Sequence, residues 1–365
     1  MQIHRTTRAA NIVVISAVSI IALYLAAPFL IPLSLAALLA MLFYRFSEWQ
    51  ERKGVPRGLS ALFSVLALLG TVILIGFILA WQISGLTDNF DKMKGQVISQ
   101  FRMLREWISR STGIDFIQQQ QLVAQQAQGS GSQAGNFFLK FINKLTGLLV
   151  DAVLVVVYTY LLLYYRSHIK RFILKAVPQS NRDHVRTIIR KSVDVSGDYL
   201  IGLFNMVAIL WVMYSIGFSL VGLTGAVFFA ILCGIFEIVP FIGNLVGNLV
   251  AVLAVLAQGG DAAMVLGILA VYLTIQFLQS YILEPLVVGQ RVNINPLFTI
   301  IALVVGELLW GIAGMAMAIP LLGIVKIVCD NVPELHAYGA VIGPIRSPNS
   351  RTSVLNFLKR LLPGK

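Results

Sequence analysis

The tract Tyr199–Leu256 holds one charged residue, Glu237, and no other feature of the sequence limits the possible folds so severely. About 18 or more consecutive apolar residues read as a membrane span. Ile12–Ala27 and Leu59–Trp81 are also apolar and uncharged, and Leu148–Tyr165 carries only Asp151. The whole chain is 58% hydrophobic and 12% charged, about half the usual charged share of a soluble domain. A soluble core of 365 residues cannot bury that much apolar surface. A transmembrane barrel is excluded, because lipid-facing strands alternate and these runs do not. The reading is an all-α, polytopic helical membrane protein.

The formal charge of +12 follows the membrane. Arg5 and Arg8 precede the first span. Arg45, Arg52, Lys53 and Arg57 lie between the second and third. A dense group from Arg166 to Lys191 follows the fourth, and Arg346 to Lys365 closes the chain. Cytoplasmic loops collect Lys and Arg, and one orientation places all four groups inside, with both termini cytoplasmic. Positive-inside bias therefore accounts for the charge, and no nucleic-acid partner is expected. Ile12–Ala27 runs into further apolar sequence with no small-residue cleavage site, so a cleaved leader is not expected.

Six regions follow. Residues 1–84 hold three spans, with a turn expected at Pro28–Pro32 and a short second span, Leu33–Phe46. Residues 85–136 form an extracytoplasmic amphipathic helix and a Gln/Gly/Ser linker. A fourth span occupies 137–166. A basic amphipathic segment, 167–198, is suited to anionic headgroups. Residues 199–330 are the transport core, and 331–365 a basic cytoplasmic tail. Cys233 and Cys329 sit in apolar runs and form neither a disulfide framework nor a metal site.

The core carries the functional signal. A carboxylate at mid-membrane costs about 3 kcal/mol, yet Glu237, Glu284 and Glu307 lie in or beside apolar runs. Each adjoins a helix breaker: Pro240 and Gly243, then Pro285, then Gly311 and Gly314. Thr224–Ala257 and Pro296–Cys329 are too long for one straight crossing, which needs about 20 residues. Both read as helix–break–helix units. Each crosses once, or each is a re-entrant hairpin; Arg291 favours the hairpins by falling on the cytoplasmic side. Broken backbone at membrane depth must be buried in protein or line a watery cavity. Paired broken segments are the best sequence pointer to a transporter's binding site. Tyr272, Gln276, Ser280 and Glu284 are spaced by four, with Gln279 beside them, and Asn244 and Asn248 share that spacing. Such residues also serve plain interhelical hydrogen bonding. With the glutamates and breaks they read as a path for a small polar solute or cation. Coupling to protons, through Glu237 or Glu307, is an expectation of the same reading.

These residues resemble a known family. Glu237-Ile-Val-Pro240-Phe-Ile-Gly243, Leu283-Glu284-Pro285-Leu286-Val287-Val288-Gly289, Asn295-Pro296-Leu297 and Gly311-Ile-Ala-Gly314-Met-Ala-Met-Ala-Ile-Pro320 are similar to the motifs of the autoinducer-2 exporter-like (AI-2E) family of bacterial membrane proteins. The resemblance covers nearly the whole chain. It implies about eight membrane segments, the bacterial cytoplasmic membrane, export or exchange of a small solute, and a homo-oligomer. Members have been linked both to a signalling-molecule exporter and to sodium/proton antiport, so the solute does not follow from it. Asn295 and Ser280-Tyr281 depart from the residues frequent there.

Other classes fit less well. An ATP-driven pump needs a phosphate-binding loop, and G-x-x-x-x-G-K-[ST] does not occur. An intramembrane metalloprotease needs H-E-x-x-H or similar spacing, and His4, His168, His184 and His336 all lie outside the apolar runs. No catalytic residue, metal or cofactor is expected. A passive channel and a purely structural membrane protein remain the alternatives.

Overall fold

The computed structural model describes residues 2–87, 130–239, 242–288 and 294–344. Most of the expected extracytoplasmic segment lies outside the described residues. So do Pro240, residues 289–293 with Arg291, and the residues from 345 onward. Among the described residues the regular elements are all helical. They are α1 (Gln2–Leu25), α2 (Ala27–Arg52), α3 (Arg57–Thr87), α4 (Ser130–Lys175), α5 (Arg182–Val221), α6 (Ala226–Phe236), α7 (Ile242–Ala257), α8 (Ala262–Leu278), α9 (Pro296–Asn331) and α10 (His336–Ile342). A π-helical stretch, Gln279–Val288, continues α8. Among the described residues six helical stretches are long and apolar enough to cross a membrane, and two shorter apolar helices accompany them. The chain is a multi-pass helical membrane protein.

The turn expected at Pro28–Pro32 is not there. The chain bends at Ala26, and both prolines lie inside α2, which runs 26 residues. Pro is tolerated in the first turn of a helix, where its missing N–H has no partner to lose. Pro32 forgoes only a bond to the carbonyl of Pro28. The second span, expected as the short Leu33–Phe46, is therefore of full length. The basic stretch after Asn181 and the apolar stretch after Tyr199 form one helix of 40 residues, ended by Gly222 in the left-handed conformation.

Both long units fold back on themselves. In the first, Thr224 and Gln258 clasp each other: the Thr224 N–H donates to Gln258 Oε1, and Gln258 Nε2 donates to the Thr224 carbonyl, both at 2.9 Å. A straight helix would separate those residues by about 50 Å. The arms cross where Cys233 Sγ donates to the Gly247 carbonyl at 3.3 Å. In the second, Trp310 and Gly311 leave helical geometry, with Gly311 at φ 60° and ψ −144°. A Cβ on Gly306 would stand 2.6 Å from the Gly314 carbonyl, so the backbones of the two arms touch. Residues eight apart in a straight helix lie about 12 Å apart. The structure thus decides between the two alternatives in favour of hairpins.

The hairpins open toward opposite ends of α5. The first starts just past Val221, and Gly267 of α8 packs against that same Val221. The ends of the second lie near the start of α5: Lys191 Nζ donates to Asn331 Oδ1 at 3.1 Å, and the Asn295 N–H to the Ile342 carbonyl at 2.8 Å. The core fills the space between α5, the first hairpin and α8, around Leu210, Tyr214, Phe218, Val255 and Ile268. The two hairpins meet where Val239 packs on Leu303, Met315 and Ala318. With Cys233 and Cys329 replaced by Ala, Thr224→Cys and Gln258→Cys should be joined by a short bifunctional maleimide. Failure to crosslink in the folded protein would reject the first hairpin.

Candidate functional site

Glu237 caps the carboxy-terminal end of α6 at the first hairpin's tip, its N–H donating to the Cys233 carbonyl at 3.1 Å. The chain then turns tightly, Val239 N–H bonding to the Phe236 carbonyl and Gly243 N–H to the Val239 carbonyl, each at 2.9 Å. Gly243 is required there, because any Cβ would collide with the Phe236 carbonyl. The Glu237 side chain is only 8% exposed. Gln279 Nε2 donates to its Oε1 at 2.6 Å.

A ladder of amides and hydroxyls continues from this pair between α7 and α8. Asn244 Nδ2 donates to Gln276 Oε1. Tyr272 donates its hydroxyl to Asn244 Oδ1 at 2.5 Å, and Gln276 Nε2 reaches Ser280 Oγ at 3.4 Å. Two buried acceptors, Gln279 Oε1 and Asn248 Oδ1, have no hydrogen-bond partner among the described residues. Buried polar atoms are nearly always paired; Gln50, Glu51 and Ser196 each hold one more without a hydrogen-bond partner elsewhere in the fold.

The change from α to π geometry at Gln279 explains which side chains face Glu237. Pro285 cannot donate the α-type bond to the carbonyl of Tyr281, and π turns are frequent at functional sites. The wider turn rotates successive side chains out of the four-residue register. Gln279 is buried against Glu237, whereas Ser280 and Glu284 are exposed. Glu284 is still within electrostatic reach of Glu237.

The structure therefore brings together Glu237, Gly243, Asn244, Gln276, Gln279 and Ser280, with Asn248 one turn further along α7. Gly311 and Gly314 build the second tip and its crossing. Trp310 Nε1 donates to the Leu23 carbonyl at 3.1 Å and ties that tip to α1. Glu307 is not joined to the ladder. It lies exposed on the first arm of α9, one position past the glycine that faces the other arm. Trp211, which sequence reasoning passed over, donates Nε1 to the Ile231 carbonyl at 3.0 Å and braces α6 from α5. Its signal was an indole N–H inside an apolar run, which must find an acceptor when buried.

Known proteins share this chain's length and pattern. It is 27% identical to "Putative transport protein MT0215" of Mycobacterium tuberculosis (strain CDC 1551 / Oshkosh), over 80% of this chain and 79% of that one. It is 24% identical to "Putative transport protein YrrI" of Bacillus subtilis (strain 168), over 81% and 84%. It is 22% identical to "Putative transport protein YhhT" of Escherichia coli (strain K12), over 95% and 96%. The family model described as "AI-2E family transporter" matches residues 13–334, which include both hairpins and the polar ladder between α7 and α8. A match of that extent, on a multi-pass helical chain, makes this protein a member of the AI-2E family of membrane transporters.

Proposed function

We propose that the protein is a secondary transporter that exports or exchanges a small polar solute or cation along the ladder from Glu237 to Asn248, driven by a proton or sodium gradient. The observation that carries this reading is Glu237: a carboxyl buried at the broken tip of a hairpin, held by one amide. An ionised carboxylate away from water is costly unless paired. A cation or proton is the partner that neutralises it, and the open acceptors of Gln279 and Asn248 offer further oxygen ligands on the same route. Opposed hairpins supply broken backbone from both ends of the membrane domain, the arrangement expected around a midplane site. The basic loops favour an orientation in the bacterial cytoplasmic membrane with both termini inside. We infer a homo-oligomer from the family pattern, with export as the direction.

The test is flux. Purified protein in vesicles, given a panel of cations and small polar metabolites, should move at least one of them faster under an imposed pH or sodium gradient. Conductance that ignores both gradients would indicate a channel. No flux of any member of the panel would leave the structural alternative.

A further inference from the structure

The ends of α2 and α4 and the start of α5 line a cavity of about 880 Å³. Six cations line it: Arg45, Arg52, Arg166, Lys170, Arg186 and Arg190. Among the described residues two acids, Glu48 and Asp194, share the wall. Glu48 is taken by Arg52 at 3.1 Å. Asp194 is divided between Arg45 at 3.8 Å and Arg190 at 3.7 Å, both long contacts. Lys170 has no acidic partner among the described residues. Arg186 is paired with Asp183 at 3.1 Å, so Lys170 is the lining cation left to draw an anion in, with the arginine forks around it.

The cavity is built rather than accidental. Arg166 is fixed from behind by Glu51 at 2.6 Å and lies over the Tyr44 ring, 4.9 Å from its centroid. Arg45 is fixed by Asp198 at 2.6 Å. Ser47 and Ser60 share a hydrogen bond of 2.9 Å and lock α2 to α3 just behind this wall. The Arg45, Arg166 and Arg186 guanidinium groups are thus held in place by acids outside the lining, Asp198, Glu51 and Asp183. Arginine forks suit phosphate oxygens better than they suit water. The volume lies in the range of ordinary ligand sites. Trp49 lines the wall with Lys53 over its ring at 3.8 Å, and Trp, Tyr and basic residues together mark the headgroup level of a membrane protein.

We propose that this cavity binds a phosphate-bearing anion, gripped by guanidinium and ammonium groups from three helices. The site is separate from the ladder and does not depend on what the ladder carries. The phosphate has two sources, the headgroup of an anionic phospholipid or a soluble phosphate compound, and basic pockets between spans take the former well.

The experiment uses the full chain purified in uncharged detergent. One arm adds phosphatidylglycerol or cardiolipin in mixed micelles; the other adds inorganic phosphate or pyrophosphate. Thermal unfolding and native mass spectrometry read binding. The variant K170Q/R190Q removes two lining charges, both on exposed side chains, and R171Q/K175Q removes two exposed charges outside the cavity. Each basic group near a phosphate contributes about fivefold, so K170Q/R190Q should weaken binding about thirtyfold while R171Q/K175Q leaves it near wild type. Loss in the lipid arm alone identifies a headgroup site, and loss in the soluble arm identifies a free phosphate compound. No binding in either arm, or equal weakening by the two variants, overturns the proposal.

Discussion

Glu237→Gln is expected to abolish gradient-driven flux while leaving the protein folded. The amide oxygen at that position still accepts the Gln279 N–H that now spans 2.6 Å, and a neutral side chain is less costly to bury. Thermal stability should therefore hold or rise. Flux in vesicles should fall by at least about tenfold, the equivalent of one strong ionic contact to the cargo or its coupling ion. Glu307→Gln should retain most of the flux, since Glu307 lies exposed and away from the ladder. Equal loss from both variants would point to a route that includes the outer face of α9. Unchanged flux in Glu237→Gln would remove Glu237 from the mechanism.

The second large effect is structural. Gly306→Val or Gly314→Val should destabilise the second hairpin by about 3 kcal/mol, because the added atoms meet backbone and not a side chain that can swing away. The two variants act on one crossing, so their combination should cost less than the sum. Gly311→Ala should cost about 1–3 kcal/mol through backbone strain alone, since its φ of 60° with ψ −144° is closed to other residues. Gly76→Val is the reference, as open space surrounds that position. Unfolding of detergent-solubilised protein checks all four. A Gly314→Val protein as stable as Gly76→Val would mean the arms do not touch.

The breaks in the core were legible because Pro and Gly announce them. Their direction rested on one charge, Arg291, which favoured hairpins. Whether a helix resumes or reverses after Gly311 depends on how Gly306 and Gly314 pack eight residues apart, and no local pattern encodes that contact. Periodicity found the ladder residues Tyr272, Gln276, Asn244 and Asn248, because α7 and α8 are regular there. Ser280 keeps the four-residue spacing through its contact with Gln276, whereas Glu284 lies exposed on the π turn that begins at Gln279. Glu307 illustrates the limit of cost arguments. A carboxyl in an apolar run is unusual, but sequence does not say whether it faces a partner or the surface. The continuity of α5 was hidden by composition, since its charge stops near Asp198 while its backbone runs on to Val221.

The short arms of the first hairpin also bear on how the protein is made. α6 has 11 residues, about 16 Å of helix, roughly half the hydrocarbon layer. It cannot enter a bilayer as an independent span, and a hairpin standing alone would strand its tip and Glu237 in lipid. Its braces come from both sides in the sequence: Trp211 on α5 precedes it, and Gln276 and Gln279 follow it. The first hairpin is therefore expected to settle in the membrane only with α8 in place. A chain ended at Gln258 should leave that hairpin open to protease in membranes, and a chain ended at Gly343 should protect it.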